Sequence, residues 1–253
     1  MKNLTRPEIT VELKNMSLSY KNWDLKQLWE QKNMRNQAIH DFSVTFEPGY
    51  IYGFIGRNAA GKTSLLSVAS GHRKSSSGTV TVNGEAVFEN SNYARHINFV
   101  YPRDFSEEHA RVKNYVKTAT QYRPFFDDSY CTKLLEDFDI NPRKRMKNLS
   151  KGQQSAVVAA IGLASRCPFT IFDEAYIGMD AVYRNLFYKE ILEDRDRHPR
   201  TIVISTHLIT EVEYLFDKVI MIHQGKNLNH NYDSSITMNL QDLFISLTEK
   251  GGK

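Results

Sequence analysis

Eight consecutive residues, Gly56-Arg57-Asn58-Ala59-Ala60-Gly61-Lys62-Thr63, separate two glycines by four positions and follow the second with a lysine and a hydroxyl. That spacing lets successive backbone N–H groups and a helix N-terminus surround a polyphosphate. Lys62 would reach the β- and γ-phosphates and Thr63 would ligate Mg²⁺. The bland alternative is a glycine turn that caps a helix, and the loop's place between an expected strand and an expected helix argues against it. A second group, Phe169-Thr170-Ile171-Phe172-Asp173-Glu174, ends four uncharged residues in two carboxylates. The carboxyl end of a buried strand would deliver both acids to a site beside the glycine loop. Asp173 would hold Mg²⁺ through water. Glu174 would orient or deprotonate an attacking water, which needs a carboxylate within hydrogen-bond reach. Alone, an Asp-Glu pair is more often a solvated strand end; paired with the loop, it reads as catalytic.

The elements that must position these groups follow from apolar periodicity. Apolar side chains alternate with period two from Ile9 to Tyr20 and along Phe42, Val44 and Phe46, which predicts antiparallel strands. A continuous apolar strand, Tyr50 to Ile55, runs into the glycine loop and a helix that begins near Lys62 and ends before Gly71. Val80 and Val82 lead to Asn83-Gly84, a strong hairpin signal, and Ile97 to Val100 reads as another strand. Between Pro102 and Leu149 the pattern is helical, with Val112, Val116 and Ala119 in one segment and Leu134, Leu135 and Phe138 in another. Strands Phe169 to Phe172 and Thr201 to Ser205 then alternate with helices near Ala181 to Glu193 and Ile209 to Phe216, the rhythm of a parallel sheet.

The totals bound the possibilities. A chain of 253 residues suits one α/β domain, and 41% hydrophobic with 25% charged residues is ordinary globular usage. The net charge is +4, but 33 basic residues are interspersed with 29 acidic ones, so no nucleic-acid-binding stripe forms. Cys131 and Cys167 have no partners at zinc-ligand spacing and read as free thiols. Met1 to Thr10 holds a Pro and a Glu where a secretory signal needs an apolar run. The apolar stretch Ala156 to Ala164 is half the length that crosses a bilayer, so a second chain would have to span any membrane.

Leu149-Ser150-Lys151-Gly152-Gln153 precedes a helix predicted over Gln154 to Ser165, with Ser150 as its N-cap. By itself this is a common helix start. The order glycine loop, Leu-Ser-x-Gly-Gln, apolar strand with Asp173-Glu174, Gly178-Met179-Asp180 and Ser205-Thr206-His207 resembles the ABC ATPase family from Ile9 to Lys226. The resemblance implies an α/β P-loop NTPase of ABC type, a mixed sheet with an antiparallel β lobe and a helical subdomain. It divides the chain into a RecA-like core with the lobe (9–102 and 168–235), a helical subdomain carrying the signature (103–167) and a C-terminal helix or tail (236–253). It implies ATP and Mg²⁺ as cofactors, a membrane permease as partner, and a second nucleotide-binding domain, identical or not. ATP would lie on Gly56, Arg57, Asn58, Ala59, Ala60, Gly61, Lys62, Thr63 and Ser64. Ser150, Gly152 and Gln153 would contact the γ-phosphate held by the second subunit, with Asp180 at that interface. His207 matches the family's γ-phosphate-sensing histidine, and Tyr20 the aromatic residue on which adenine stacks. The chain would sit at the cytoplasmic face of the membrane through its permease.

Several positions depart from the family pattern. Ala59 replaces a usual glycine, so it must reach its conformation with negative φ or tolerate a strained left-handed one. Lys151 replaces the first signature glycine and sets a cation beside a helix N-terminus. Tyr101 or Pro102 stands where the Q-loop glutamine belongs; neither replaces that amide, which leaves Arg103 or Asp104 as substitutes in Mg²⁺ binding and permease coupling. Tyr101-Pro102-Arg103-Asp104-Phe105, Phe172 to Val182 and His198-Pro199-Arg200-Thr201 are similar to a YtrB-like branch of bacterial exporter ATPases, associated with defence against membrane-active peptides and cell-envelope stress. Between Tyr20 and Ala38 an extra segment carries Trp23, Leu25, Leu28 and Trp29. It reads as a short helix over the lobe or resembles the gate helix of polysaccharide exporters. Tyr122, Phe125 and Phe126 read as core, although the family places its permease contact nearby. Two other functions share these motifs: an ATP-binding regulatory subunit with little turnover, and an ABC ATPase outside transport.

Overall fold

The computed structural model describes residues 6–20, 36–228 and 239–250. Trp23, Leu25, Leu28 and Trp29, and the 235/236 boundary, lie outside the described residues. The chain opens with β1 (Val11–Tyr20) and β2 (Asn36–Phe46), followed by β3 (Ile51–Ile55) and helix α1 (Lys62–Ala69). The hairpin β4 (Ser77–Val82) and β5 (Glu85–Ala86) follows, with a short α2 (Ser91–Ala94) and β6 (Ile97–Val100). Three helices come next, α3 (Val112–Tyr122), α4 (Asp128–Asp137) and α5 (Lys151–Ala164), before β7 (Phe169–Asp173). The remainder is α6 (Ala181–Arg197), β8 (Thr201–Thr206), α7 (Ile209–Val212), β9 (Lys218–His223), β10 (Lys226–Asn227) and α8 (Leu240–Lys250).

Two sheets form. The order β2-β1-β4-β5 is antiparallel throughout. The second sheet runs β10-β9-β3-β8-β7-β6, parallel except for the edge hairpin β9–β10. Every residue of β3, β7 and β8 is buried, as expected of parallel strands covered on both faces. In β1 the buried set is Val11, Leu13, Met16 and Leu18, and the alternation slips between Leu13 and Met16. Asn15 at φ 49° forms the bulge there, and its amide donates to Asp41 at 2.9 Å.

One apolar cluster joins α3 to α6 and the adjacent face of the parallel sheet. Another fills the space between the antiparallel sheet, α1 and the opposite face. The glycine loop therefore leaves a strand that is held from both sides, which fixes where α1 begins.

Three expectations are corrected. The helix expected over Ile209 to Phe216 stops at Val212 and tightens into a 3₁₀ turn, Glu213–Leu215. Phe216 lies so close over Gly53 that a side-chain carbon there would come within 2.4 Å of its ring, so the chain must leave the helix to seat it. Helix α6 runs past Glu193 to Arg197, where Arg197 pairs with Glu193 at 3.0 Å, one turn earlier. Tyr122 is not core: it is 71% exposed, because the buried face of α3 is carried by Val112 and Ala119. Phe126 does pack against the first cluster. Among the described residues, no helix is long and apolar enough to cross a membrane.

Candidate functional site

The glycine loop turns from β3 into α1 through two left-handed residues, Ala59 at φ 63° and Gly61 at φ 104°. Gly61 has to be glycine for a second reason, since a Cβ there would come within 2.9 Å of the Ala38 carbonyl oxygen. Ala59 has thus taken the strained left-handed form that costs an alanine about 1–2 kcal/mol. Gly61 caps α1 without a side-chain bond, so the first-turn N–H groups remain turned toward the loop. Lys62 is 5% exposed and folds back over the loop. Its ammonium donates to the carbonyl oxygens of Gly56 (2.8 Å) and Arg57 (3.2 Å) and pairs with Glu174 Oε1 at 3.0 Å.

Asp173 ends β7 beside this loop and is 1% exposed. Its carboxylate accepts hydrogen bonds from the hydroxyls of Thr63 (2.5 Å) and Ser205. Burial pushes its pKa above the ordinary carboxyl value, against the two hydroxyls, which pull it down. No cation pairs with it among the described residues. A buried carboxylate lacking a positive partner, next to a threonine hydroxyl, is an oxygen donor set that suits a hard divalent cation such as Mg²⁺. Glu174 follows in a left-handed conformation, φ 46°, its N–H donating to the backbone and side-chain oxygens of Ser205, both at 3.2 Å. That turn swings the second carboxylate away from the strand direction and onto Lys62.

His207, at the end of β8, brings Nδ1 to 3.5 Å from Glu174 Oε1 and to 3.1 Å from the hydroxyl of Tyr176. Lys62, Thr63, Asp173 and Glu174 thus lie together, and His207, which only the family resemblance had singled out, lies beside Glu174. A cavity of about 580 Å³ opens beside them, lined by Asn58, Ala59, Gly61, Lys62, Thr63, Ser64 and Glu174. Gln37, His40 and Gln224 also line it and were not anticipated from sequence, because they arrive from β2 and the β9–β10 turn. Ser205 and Tyr176 were missed too. Ser205 stands opposite Asp173 in the neighbouring parallel strand, a register that the order of strands along the sequence does not give.

The other expected residues lie outside this cavity. Ser150 caps α5 by accepting from Gln153 N–H, and the Gln153 amide oxygen accepts from Ser150 N–H, both at 3.2 Å. Gly152 is buried against the turn that follows β7; a Cβ there would meet the Gly178 carbonyl oxygen at 2.4 Å. Asp180 caps α6 by accepting from Tyr183 N–H. Tyr20 donates to or accepts from Ser64 Oγ at 2.8 Å, and the Arg73 guanidinium covers its ring at 4.8 Å, so adenine would have to use the other face. Asp104 pairs with Lys151 at 3.1 Å, with both side chains largely exposed. Among the described residues, neither Arg103 nor Asp104 bonds to the Asp173 group. Asp104, expected as a substitute for the Q-loop glutamine, therefore meets Lys151, the departure in the signature, instead of joining the Asp173 group.

A family model described as ABC transporter matches residues 39–176. The chain is 27% identical over 243 residues to the ABC transporter ATP-binding protein NatA of Bacillus subtilis (strain 168), covering 90% of this chain and 97% of NatA. To the ABC transporter ATP-binding protein YtrB of the same organism it is 25% identical over 194 residues, covering 77% of this chain and 66% of YtrB. In fold it is similar to the ATP-binding cassette MJ0796, solved as a dimer in a post-hydrolysis state with ADP and Pi. The TM-score is 0.72 at 18% identity, covering 88% of this chain and 98% of that one.

Proposed function

The chain belongs to the ABC transporter family and is an ATP hydrolase of that type, and we propose that it energises a separate membrane permease that exports amphipathic compounds such as membrane-active peptides. The observation that carries the ATP-hydrolysing part of this reading is the convergence of Lys62, Thr63, Asp173 and Glu174 at one loop. In the proposed cycle, the backbone N–H groups of residues 57–63 and the ammonium of Lys62 receive the β- and γ-phosphates, and Tyr20 stacks on adenine. Thr63, and Asp173 through water, would hold Mg²⁺, which would supply positive charge against the phosphate oxygens. Once phosphate has taken Lys62, Glu174 is free to orient and deprotonate the attacking water, and His207 donates to the γ-phosphate.

Ser150, Gly152 and Gln153 do not line the cavity of their own chain, which supports a second nucleotide-binding domain supplying them, head to tail, with Asp180 at the interface. Removing one preorganised donor of this kind costs about 10²–10³ in rate, so an isolated domain should turn over poorly. The permease partner is supported by a groove of about 610 Å³ lined by Tyr115, Tyr122 and Ile161 of the helical region and by Ala94 and Asn98 beside the sheet edge. Its mouth carries the exposed Tyr122, close to where the family resemblance sets the permease contact. The exporter assignment draws on the likeness of residues 101–105 and 172–182 to the YtrB-like branch.

Two measurements test the reading. Purified Glu174→Gln should bind ATP and lose about 10²–10⁴-fold in turnover, as expected when a general base is removed; near-normal hydrolysis would sink the assignment. Isolation of the chain from native membranes should bring a hydrophobic subunit and a second ATPase with it, whereas recovery of the chain alone would remove the permease.

A further inference from the structure

Tyr176 is buried, with 4% of its surface exposed, yet its hydroxyl meets three polar groups at the end of β8. The Thr206 hydroxyl donates to it at 3.2 Å, the backbone N–H of His207 donates at 3.4 Å, and His207 Nδ1 lies 3.1 Å away. A phenol offers one hydrogen and two lone pairs. The backbone N–H can only donate. Thr206 Oγ1 already accepts from Leu208 N–H at 2.9 Å, and among the described residues its own hydrogen has no acceptor except Tyr176. Both lone pairs of the phenol are therefore filled, and its hydrogen has one destination, Nδ1 of His207. Burial raises the phenol's pKa, so that hydrogen is retained across the neutral range.

We propose that Tyr176 is a positioning residue that fixes His207 as the Nε2–H tautomer, leaving Nε2–H as the only donor the imidazole ring offers to the nucleotide. The proposal rests on the reading of His207 as the group that meets the γ-phosphate. It also identifies the competitor. Glu174 Oε1 stands 3.5 Å from Nδ1, so a proton on Nδ1 would draw His207 toward the general base and tie the two together. The phenol, at 3.1 Å the nearer of the two to Nδ1, fills that nitrogen's lone pair and keeps histidine and base as separate actors. The nearby groups that bear on Nδ1 are Glu174, itself paired with Lys62, the phenol of Tyr176 and the hydroxyl of Thr206.

The test uses the full chain with ¹⁵N-labelled histidine and no nucleotide, with the His207 signals identified by their loss in His207→Ala. In the wild type, Nε2 should carry the proton and Nδ1 should be bare. In Tyr176→Phe, which keeps the ring and removes only the hydroxyl, a substantial fraction should move to the Nδ1–H form. Turnover of Tyr176→Phe should fall about 2- to 10-fold, the range of one lost hydrogen bond, with KM little changed and no further fall on a His207→Ala background. An Nδ1–H tautomer in the wild type, or an unchanged tautomer in Tyr176→Phe, overturns the proposal. The wild-type measurement needs no substitution at position 176, so it decides even if that variant fails to fold. Because the tautomer is read without ATP, it also stands apart from the ATPase reading: absence of hydrolysis in the wild type would defeat that reading and leave the tautomer result intact.

Discussion

Replacing Asp173 with Asn should make the nucleotide-free protein more stable while removing its ability to hydrolyse ATP. Asp173 is 1% exposed and is held by two hydroxyls, and among the described residues no cation pairs with it, because Lys62 is turned to Glu174. Burial lifts its folded-state pKa above the unfolded value of about 4. A raised pKa means that the carboxyl's contribution is fully present below the unfolded value and is lost as pH rises through the folded one. At pH 7 the ionised group is therefore a liability, and Asn removes the charge while keeping the shape and one acceptor. A gain of about 1 kcal/mol is reasonable for relieving such a group, or about 2–4 °C in Tm for a chain of this size. Scanning calorimetry in the presence of a chelator should show the variant melting higher at pH 7, with the advantage shrinking as pH falls toward 4. Mg²⁺-ATP should then stabilise the wild type more than the variant. If Asp173→Asn melts below the wild type at pH 7 without nucleotide, the account of Asp173 as a buried charge awaiting a cation is wrong.

Two further changes probe the scaffold around the site. Gly152→Ala would drive a methyl to 2.4 Å from the Gly178 carbonyl, and overpacking of this kind costs about 1–3 kcal/mol; Tm should drop by several degrees, and an unchanged melt would show that the turn yields freely. Asp194→Ala removes the common partner of Arg200 (2.6 Å) and Arg166 (3.0 Å) and strands a guanidinium that is fully buried. A loss of about 3–5 kcal/mol follows, visible in urea titration as a lower midpoint with the same slope.

Much of the candidate site's geometry was legible because it is local. The glycine loop and the Asp173-Glu174 pair are contiguous runs whose geometry follows from one strand and one helix, and Ser150 was recognisable as an N-cap from its residue type. What sequence could not supply was the company these residues keep. Ser205 faces Asp173 only because β8 pairs with β7 in parallel register, and Tyr176 reaches His207 only after Glu174 takes a left-handed turn. Tyr122 was misread because aromatic spacing on α3 does not say which face the neighbouring helices cover. Phe216 ended α7 early through a contact with a strand formed more than a hundred residues before it. The missing glutamine and the added lysine looked like two separate defects, whereas Asp104 and Lys151 prove to be neighbours.

The ion pair between Lys62 and Glu174 has a consequence for affinity. A carboxylate tethered within reach of the ammonium behaves as a built-in competitor at high effective concentration, so a nucleotide's measured Kd contains the work of displacing it. Glu174→Gln weakens that competitor, and tighter ATP binding should accompany the slower turnover. On the proposed reading of Glu174 as the base, the same displacement would order events: the carboxylate stays engaged with Lys62 until phosphate arrives to release it, which would keep the site from acting before its substrate is seated.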